Sequence, residues 1–222
     1  MLTLRLIEDR MPTGADAVYL PAVERTLYVL DGDITVETAI GSLHQAAGSA
    51  WLGDAALGLV AGSAGARVLR WELARADDPD TGALRAAPHC ASTTKLAAPV
   101  DLDPAFGWLM RCDRVFFPRG GIAYTHVHQG PGIRYCLEGR ISIETEGQSH
   151  SYGPDEAWFE VGSSPVLAPT SEEVETGFVR CFVLPRACKG RSSIRYVLKE
   201  DAGRPKTQRY RVLGERFIAL PS

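Results

Sequence analysis

Two stretches decide the fold: TLYVLDGDITVET at positions 26–38 and IRYCLEGRISIET at positions 133–145. In the first, Ile34, Val36 and Thr38 alternate with Asp33, Thr35 and Glu37; in the second, Ile141 and Ile143 alternate with Ser142 and Glu144. A period of two is the signature of a strand with one buried face. The L-D-G and L-E-G pieces are turn chemistry, glycine supplying the positive φ of a hairpin corner. The stretches lie 107 positions apart, and the match extends beyond them. Residues 14–61 align without a gap on residues 121–168, with 11 of 48 positions identical. Tyr28/Tyr135, Leu30/Leu137, Gly32/Gly139, Ile34/Ile141, Glu37/Glu144, Thr38/Thr145 and Trp51/Trp158 are among the identities. Past an insertion, VLRWEL (68–73) matches VRCFVL (179–184) in pattern. The chain is an internal repeat.

No segment carries an apolar stripe at helical spacing over three turns, so the repeat predicts an all-β chain with few short helices. Between the copies lies ARADDPDTGALRAAPHCASTTKLAAPVDLDP, with four prolines, which reads as a linker draped over a domain. The expected organisation is a first domain at 1–75, a linker at 76–105, a second domain at 106–186 and a basic tail of strands at 187–222. Residues 186–216 carry ten basic and three acidic side chains, whereas the whole chain has 24 basic and 27 acidic, a net −3. The tail pieces RYVL and QRYRVL are strand-like with solvated arginines, and are expected to pack on the acidic N-terminal part or a neighbouring subunit. That pattern and the net charge argue against a nucleic-acid partner. The first residues, MLTLRLIEDRMPTGAD, are interrupted by charges and lack a signal-peptide core; the longest charge-free stretch, 55–66, is too short to span a bilayer. The five cysteines form no C-x-x-C pair, which fits reduced thiols in a cytoplasm. A Walker loop, a G-x-S-x-G elbow and a dinucleotide-binding glycine fingerprint are all missing.

The chemistry concentrates in GGIAYTHVHQGPGIRYCLEGRI of the second copy. On a strand, His126 and His128 project to one side while Val127 points away, so two imidazoles can reach one metal ion. With the opening Gly120 or Gly121, the His-x-His pair and the closing Gly139, this stretch resembles the first motif of the cupin superfamily. GPDEAWFEVGSSPVLAP (153–169) resembles its second motif. The resemblance covers roughly 14–73 and 112–184 and makes the chain look like a bicupin. It implies two double-stranded β-helix (jelly-roll) barrels in tandem, the metal site lying inside the second. The family's glutamate slot falls here on Gly132 and its last histidine slot near Val166, leaving two of four usual ligands. The first copy has Tyr19, Pro21 and Arg25 at the positions of His126, His128 and Gly132. Its barrel is expected to be metal-free, structural or a dimerisation surface.

A two-histidine site needs further donors, and Glu160, Gln129 and His150 are the candidates; Glu160 would make a 2-His-1-carboxylate set. Arg134 has the parity of an inward side chain, for a substrate carboxylate or for an ion pair with Glu138 or Glu144. Tyr124 and Trp158 are candidate cavity walls, Cys136 a small core residue, and His150 a core or rim histidine. Two functions follow. One is a metal-dependent enzyme holding Fe, Mn, Ni or Zn and acting on a small polar or anionic molecule, as a dioxygenase, isomerase or lyase. The other is a small-molecule-binding or sensor module without chemistry. A homo-oligomer, most simply a dimer, fits either.

Overall fold

The structure is a computed structural model and describes residues 1–78, 87 and 89–221. The chain divides into two compact units, 1–103 with a short piece from Ala219 onward, and 104–218. In the first, β1 (Leu2–Met11), β2 (Val18–Leu20), β3 (Glu24–Thr38), β4 (Gly41–Ala46), β5 (Ala50–Gly53), β6 (Leu57–Arg75) and β7 (Ala91–Val100) form one antiparallel sheet. Its order is β4-β3-β6-β1-β7, with β2 on β6 and β5 on β3. The long strands β3 and β6 bend together at a corner where Gly32 has a φ of +70° and a Cβ would run into the Gly65 carbonyl. Leu27, Val29, Ile34, Val36, Leu59 and Val68 fill the interior from alternate positions.

Among the described residues the same unit also carries a cluster of four fully buried charges. Arg25 Nε donates to Glu72 Oε1 at 2.7 Å, and Arg70 spans Glu72 Oε1 and Asp9 Oδ2, each at 2.7 Å. Two cations face two anions, so this cluster is neutral without an added ion.

Residues 91–100, within the segment read as a linker, are instead β7, paired along β1. Ala98 and Val100 turn inward, and Pro99 is tolerated because β7 is an edge strand with no neighbour awaiting its N–H. Residues 79–86 and 88 of that segment lie outside the described residues.

The second unit has two five-stranded antiparallel sheets. One, in the order β13-β10-β15-β8-β17, is built from β8 (Trp108–Phe117), β10 (Gly132–Glu138), β13 (Ala157–Glu160), β15 (Thr176–Pro185) and β17 (Arg209–Ile218). The other, β12-β11-β14-β9-β16, is built from β9 (Ile122–His128), β11 (Ile141–Thr145), β12 (Gln148–Tyr152), β14 (Val166–Pro169) and β16 (Ile194–Tyr196). Val115, Phe117, Ile141, Ile143, Trp158 and Phe178 from both sheets form the core between them. The basic tail is therefore part of this barrel: β16 pairs with β9 and β17 with β8. Among the described residues the one α-helix, α1 (Lys199–Gly203), is five residues long, and no helix is long and apolar enough to cross a membrane.

The 107-residue repeat is reproduced in the hydrogen-bond register. Arg25 opposes Gly53 as Gly132 opposes Glu160, and Ile34 opposes Gln45 as Ile141 opposes Tyr152. Beyond the insertion the sequence match of VLRWEL to VRCFVL is one residue out of phase. Leu27 opposes Arg70 and Arg134 opposes Arg180, which sets Arg70 against Arg180 and 68–73 against 178–183. The cause is that β15 is buried on both faces almost throughout, so its apolar run carries no phase.

Candidate metal and ligand site in the second barrel

The alternation of β9 turns His126 and His128 into the second barrel, where both are buried. Their Nε2 atoms lie 3.2 Å apart, with the rings edge to face. The outer nitrogens are tied: His126 Nδ1 bonds the Tyr124 carbonyl at 2.7 Å, and His128 Nδ1 bonds Ser193 Oγ at 3.3 Å. A carbonyl only accepts, so His126 Nδ1 carries the proton and its Nε2 presents a lone pair. Burial lowers the His126 pKa, against the opposing pull of the Glu160 carboxylate. Burial holds His128 well below its ordinary value, helped by the positive charges of Arg180 and Arg134. Both rings are therefore neutral at pH 7, the state a metal ligand needs.

Proton placement at His128 has two solutions, because a hydroxyl both donates and accepts. If His128 Nδ1–H donates to Ser193, two lone pairs face each other and call for a cation between them. If Ser193 donates to Nδ1, then His128 Nε2–H donates to His126 Nε2, and a closed chain runs from Ser193 to the Tyr124 carbonyl.

Glu160 Oε2 lies 3.8 Å from His128 Nε2, but it also accepts from Arg134 Nη2 at 2.7 Å, while Oε1 accepts from Trp158 Nε1 at 2.9 Å. Two nitrogens sharing one ion at about 2.0–2.1 Å must lie within about 4 Å of each other, a condition the histidines meet. Among the described residues no three His, Cys, Asp or Glu are already gathered to hold an ion. The donor set thus fits a metal as two imidazoles, with Glu160 able to join by loosening its Arg134 contact. Gln129 is engaged elsewhere, accepting a hydrogen bond from the Cys188 thiol at 2.9 Å. His150 is exposed on β12, an edge strand whose residues are exposed throughout except Tyr152.

Arg134 is fully buried, donating to the Gly132 carbonyl at 2.6 Å and to Glu160. Its ion-pair partner is thus Glu160, neither Glu138 nor Glu144. Glu138 pairs instead with Arg114 at 3.1 Å. Burial pulls the Arg134 guanidinium down to about 10, Glu160 opposing, so it stays charged at neutral pH. Cys136 is buried as a core residue. The glutamate slot at Gly132 cannot be refilled simply: a Cβ there would lie 2.7 Å from the Cys181 carbonyl and 2.8 Å from the Phe182 ring. Phe182, opposite Gly132, has taken that space and packs on His128, with the Arg134 and Arg180 guanidiniums over its ring.

A cavity of about 30 Å³ opens beside the histidines. Trp158, Phe178, Phe117 and Ile143 are among its apolar walls; His126, His128, Glu160 and Arg180 form its polar side, with Gln208 and Tyr210 from the tail. Trp158 therefore is a wall. Tyr124 is outside the lining and stacks instead under Arg204 and Lys206. Sequence reasoning missed Arg180 and Gln208. Arg180 had a signal, standing between Phe178 and Phe182 at period two; Gln208 had none.

No protein-family model matches the chain, and no curated protein sequence matches it. Solved structures do. The SENS161-164DSSN mutant of Bacillus subtilis oxalate decarboxylase OxdC superposes with a TM-score of 0.61 at 12% identity, covering 87% of this chain and 71% of that one. A deletion mutant of the same protein gives 0.60 at 12%, covering 90% and 73%. AerE from Microcystis aeruginosa gives 0.57 at 13%, covering 82% and 88%. At such identities the likeness defines the fold alone. The chain is an all-β protein of the jelly-roll class. Its fold is that of the cupin superfamily, present in two tandem copies.

Proposed function

We propose that the second barrel binds one divalent transition-metal ion (Fe, Mn, Ni or Zn) through His126 Nε2 and His128 Nε2, with Glu160 as third donor. The metal serves a small polar or anionic molecule in the adjoining cavity. The convergence of two Nε2 atoms at 3.2 Å carries this reading, the outer nitrogens being tied to Tyr124 and Ser193. Outer partners of this kind orient a ligating imidazole and raise its basicity. When bound, such an ion supplies Lewis acidity for polarising an oxygen atom. The chain's own contributions are separate: Trp158 and Phe178 exclude bulk water, and Arg134 orients Glu160. A dioxygenase, isomerase or lyase fits equally, since the fold hosts many chemistries. The same reading includes a homo-oligomer, a dimer first, in a cytoplasm that keeps the five free thiols reduced.

Metal analysis of the purified protein tests it. About one ion per chain is expected, falling below a tenth of that in H126A/H128A, as loss of both nitrogen ligands requires. Equal, negligible metal in both samples would sink the reading. The closed chain from Ser193 through both histidines to Tyr124 favours a second one, a metal-free pocket that binds a small molecule without turnover. Under it, the purified protein holds no metal, yet a bound ligand raises its melting temperature.

A further inference from the structure

We infer that Arg180 and Gln208 form a recognition pair for a small carboxylate that bears a hydroxyl group. This rests on the cavity being the ligand site of the proposed function, but not on its metal. Arg180 is more than nine-tenths buried and lines the cavity. Its Nε donates to Asp113 Oδ1 at 2.6 Å, a one-point contact that leaves Asp113 Oδ2 without a partner. Among the described residues no protein acceptor meets the terminal guanidinium nitrogens, which are held between the Phe178 and Phe182 rings. A buried cation with unused N–H groups, on the polar side of the pocket, is a carboxylate anchor, because the planar fork matches the two oxygens. Gln208 supplies the second contact. Its Nε2 donates to Tyr196 Oη at 3.2 Å, which fixes the amide, while its Oε1 is buried at the cavity with no partner. A buried acceptor left empty is costly and awaits a donor such as a ligand hydroxyl. The cavity is small, about 30 Å³, which favours the smallest carboxylates over larger ones.

Calorimetric titration of chelator-treated, full-length protein with glycolate and with acetate, at matched ionic strength in chloride, tests the pair. Glycolate is expected to bind about fivefold more tightly than acetate, the yield of one hydrogen bond. In Q208L that preference disappears and acetate affinity stays within about twofold. In R180Q/D113N, which removes both charges of the ion pair together, both anions weaken at least about tenfold. Should that double variant melt early, R180K, which keeps the charge and the Asp113 partner, is expected to weaken both anions several-fold through loss of the fork. Undetectable anion binding, binding indifferent to the Arg180 variants, or a glycolate preference surviving in Q208L overturns the inference. The metal reading is judged separately, on untreated H126A/H128A, so either result can fail without the other.

Discussion

Glu72 sits, fully buried, between the guanidinium groups of Arg70 and Arg25 in the first barrel. Burial alone would raise its pKa, but the two guanidiniums outweigh that and hold it below the ordinary glutamate value. A carboxylate with a depressed folded pKa contributes stability that is present above the unfolded value, about 4.3, and lost as pH falls through the folded one. Replacing Glu72 by Gln leaves the two arginines short of an anion in a dry interior. A loss of about 3–5 kcal/mol at pH 7 is expected from urea unfolding. The gap between E72Q and the parent should narrow as the pH falls below the unfolded value and on through the depressed folded one, where the parent carboxyl also loses its charge. A gap that is constant from pH 7 to pH 3 would show that Glu72 carries no such charge. The second barrel uses the same device at Arg134 and Glu160, but there the two imidazoles remain uncommitted.

Each barrel turns its long strand at a glycine, and the corner is where element geometry tolerates least. Gly139 has a φ of +75°, and a Cβ there would run into the Glu175 carbonyl. Gly147, at the tip of the β11–β12 hairpin, also has a φ of +75° but open space around it. Gly139→Ala should therefore cost about 3 kcal/mol or more, backbone strain and overpacking adding together. Gly147→Ala should cost about 1 kcal/mol, from the left-handed conformation alone. Equal urea midpoints for the two variants would refute the distinction. These corners were legible because L-[DE]-G recurs at a fixed spacing, and the histidine pair was legible because period two places both rings on one face. The partner of Arg134 was not: its register with Glu160 is set by a hairpin-like return through β11 and β12, which local pattern does not encode. Gln208 was hidden for a stronger reason. It reaches the cavity because the tail pairs across to β8, a contact nearly a hundred residues away in sequence. Likewise β7 was hidden because Pro99 and a polar, proline-bearing run look like a connection until an edge position is known.

At the level of the whole chain, the repeat offers two barrels and places the facing histidine pair in the second, and the stoichiometry expected under the proposed function follows from what fills each interior. In the first barrel Tyr19, at the place of His126, is 75% exposed, and Pro21 has no donor to offer. Arg25, at the place of Gly132, brings a cation to the position where a metal site would want a carboxylate. Arg25, Arg70, Asp9 and Glu72 already cancel one another, so a dication there would add uncompensated positive charge beside two arginines. In the second barrel Arg134, Arg180, Asp113 and Glu160 cancel in the same way, yet His126 and His128 are neutral donors in surplus. Metal-replete protein dialysed to equilibrium is therefore expected to hold about one tightly bound ion per chain, not two. E72Q, although it disturbs the first barrel, should leave that number unchanged as long as the chain is folded. H126A/H128A should bring it close to zero. Two ions per chain, or a single ion that survives the double histidine variant, would place a metal outside the second barrel and undo the asymmetry between the copies.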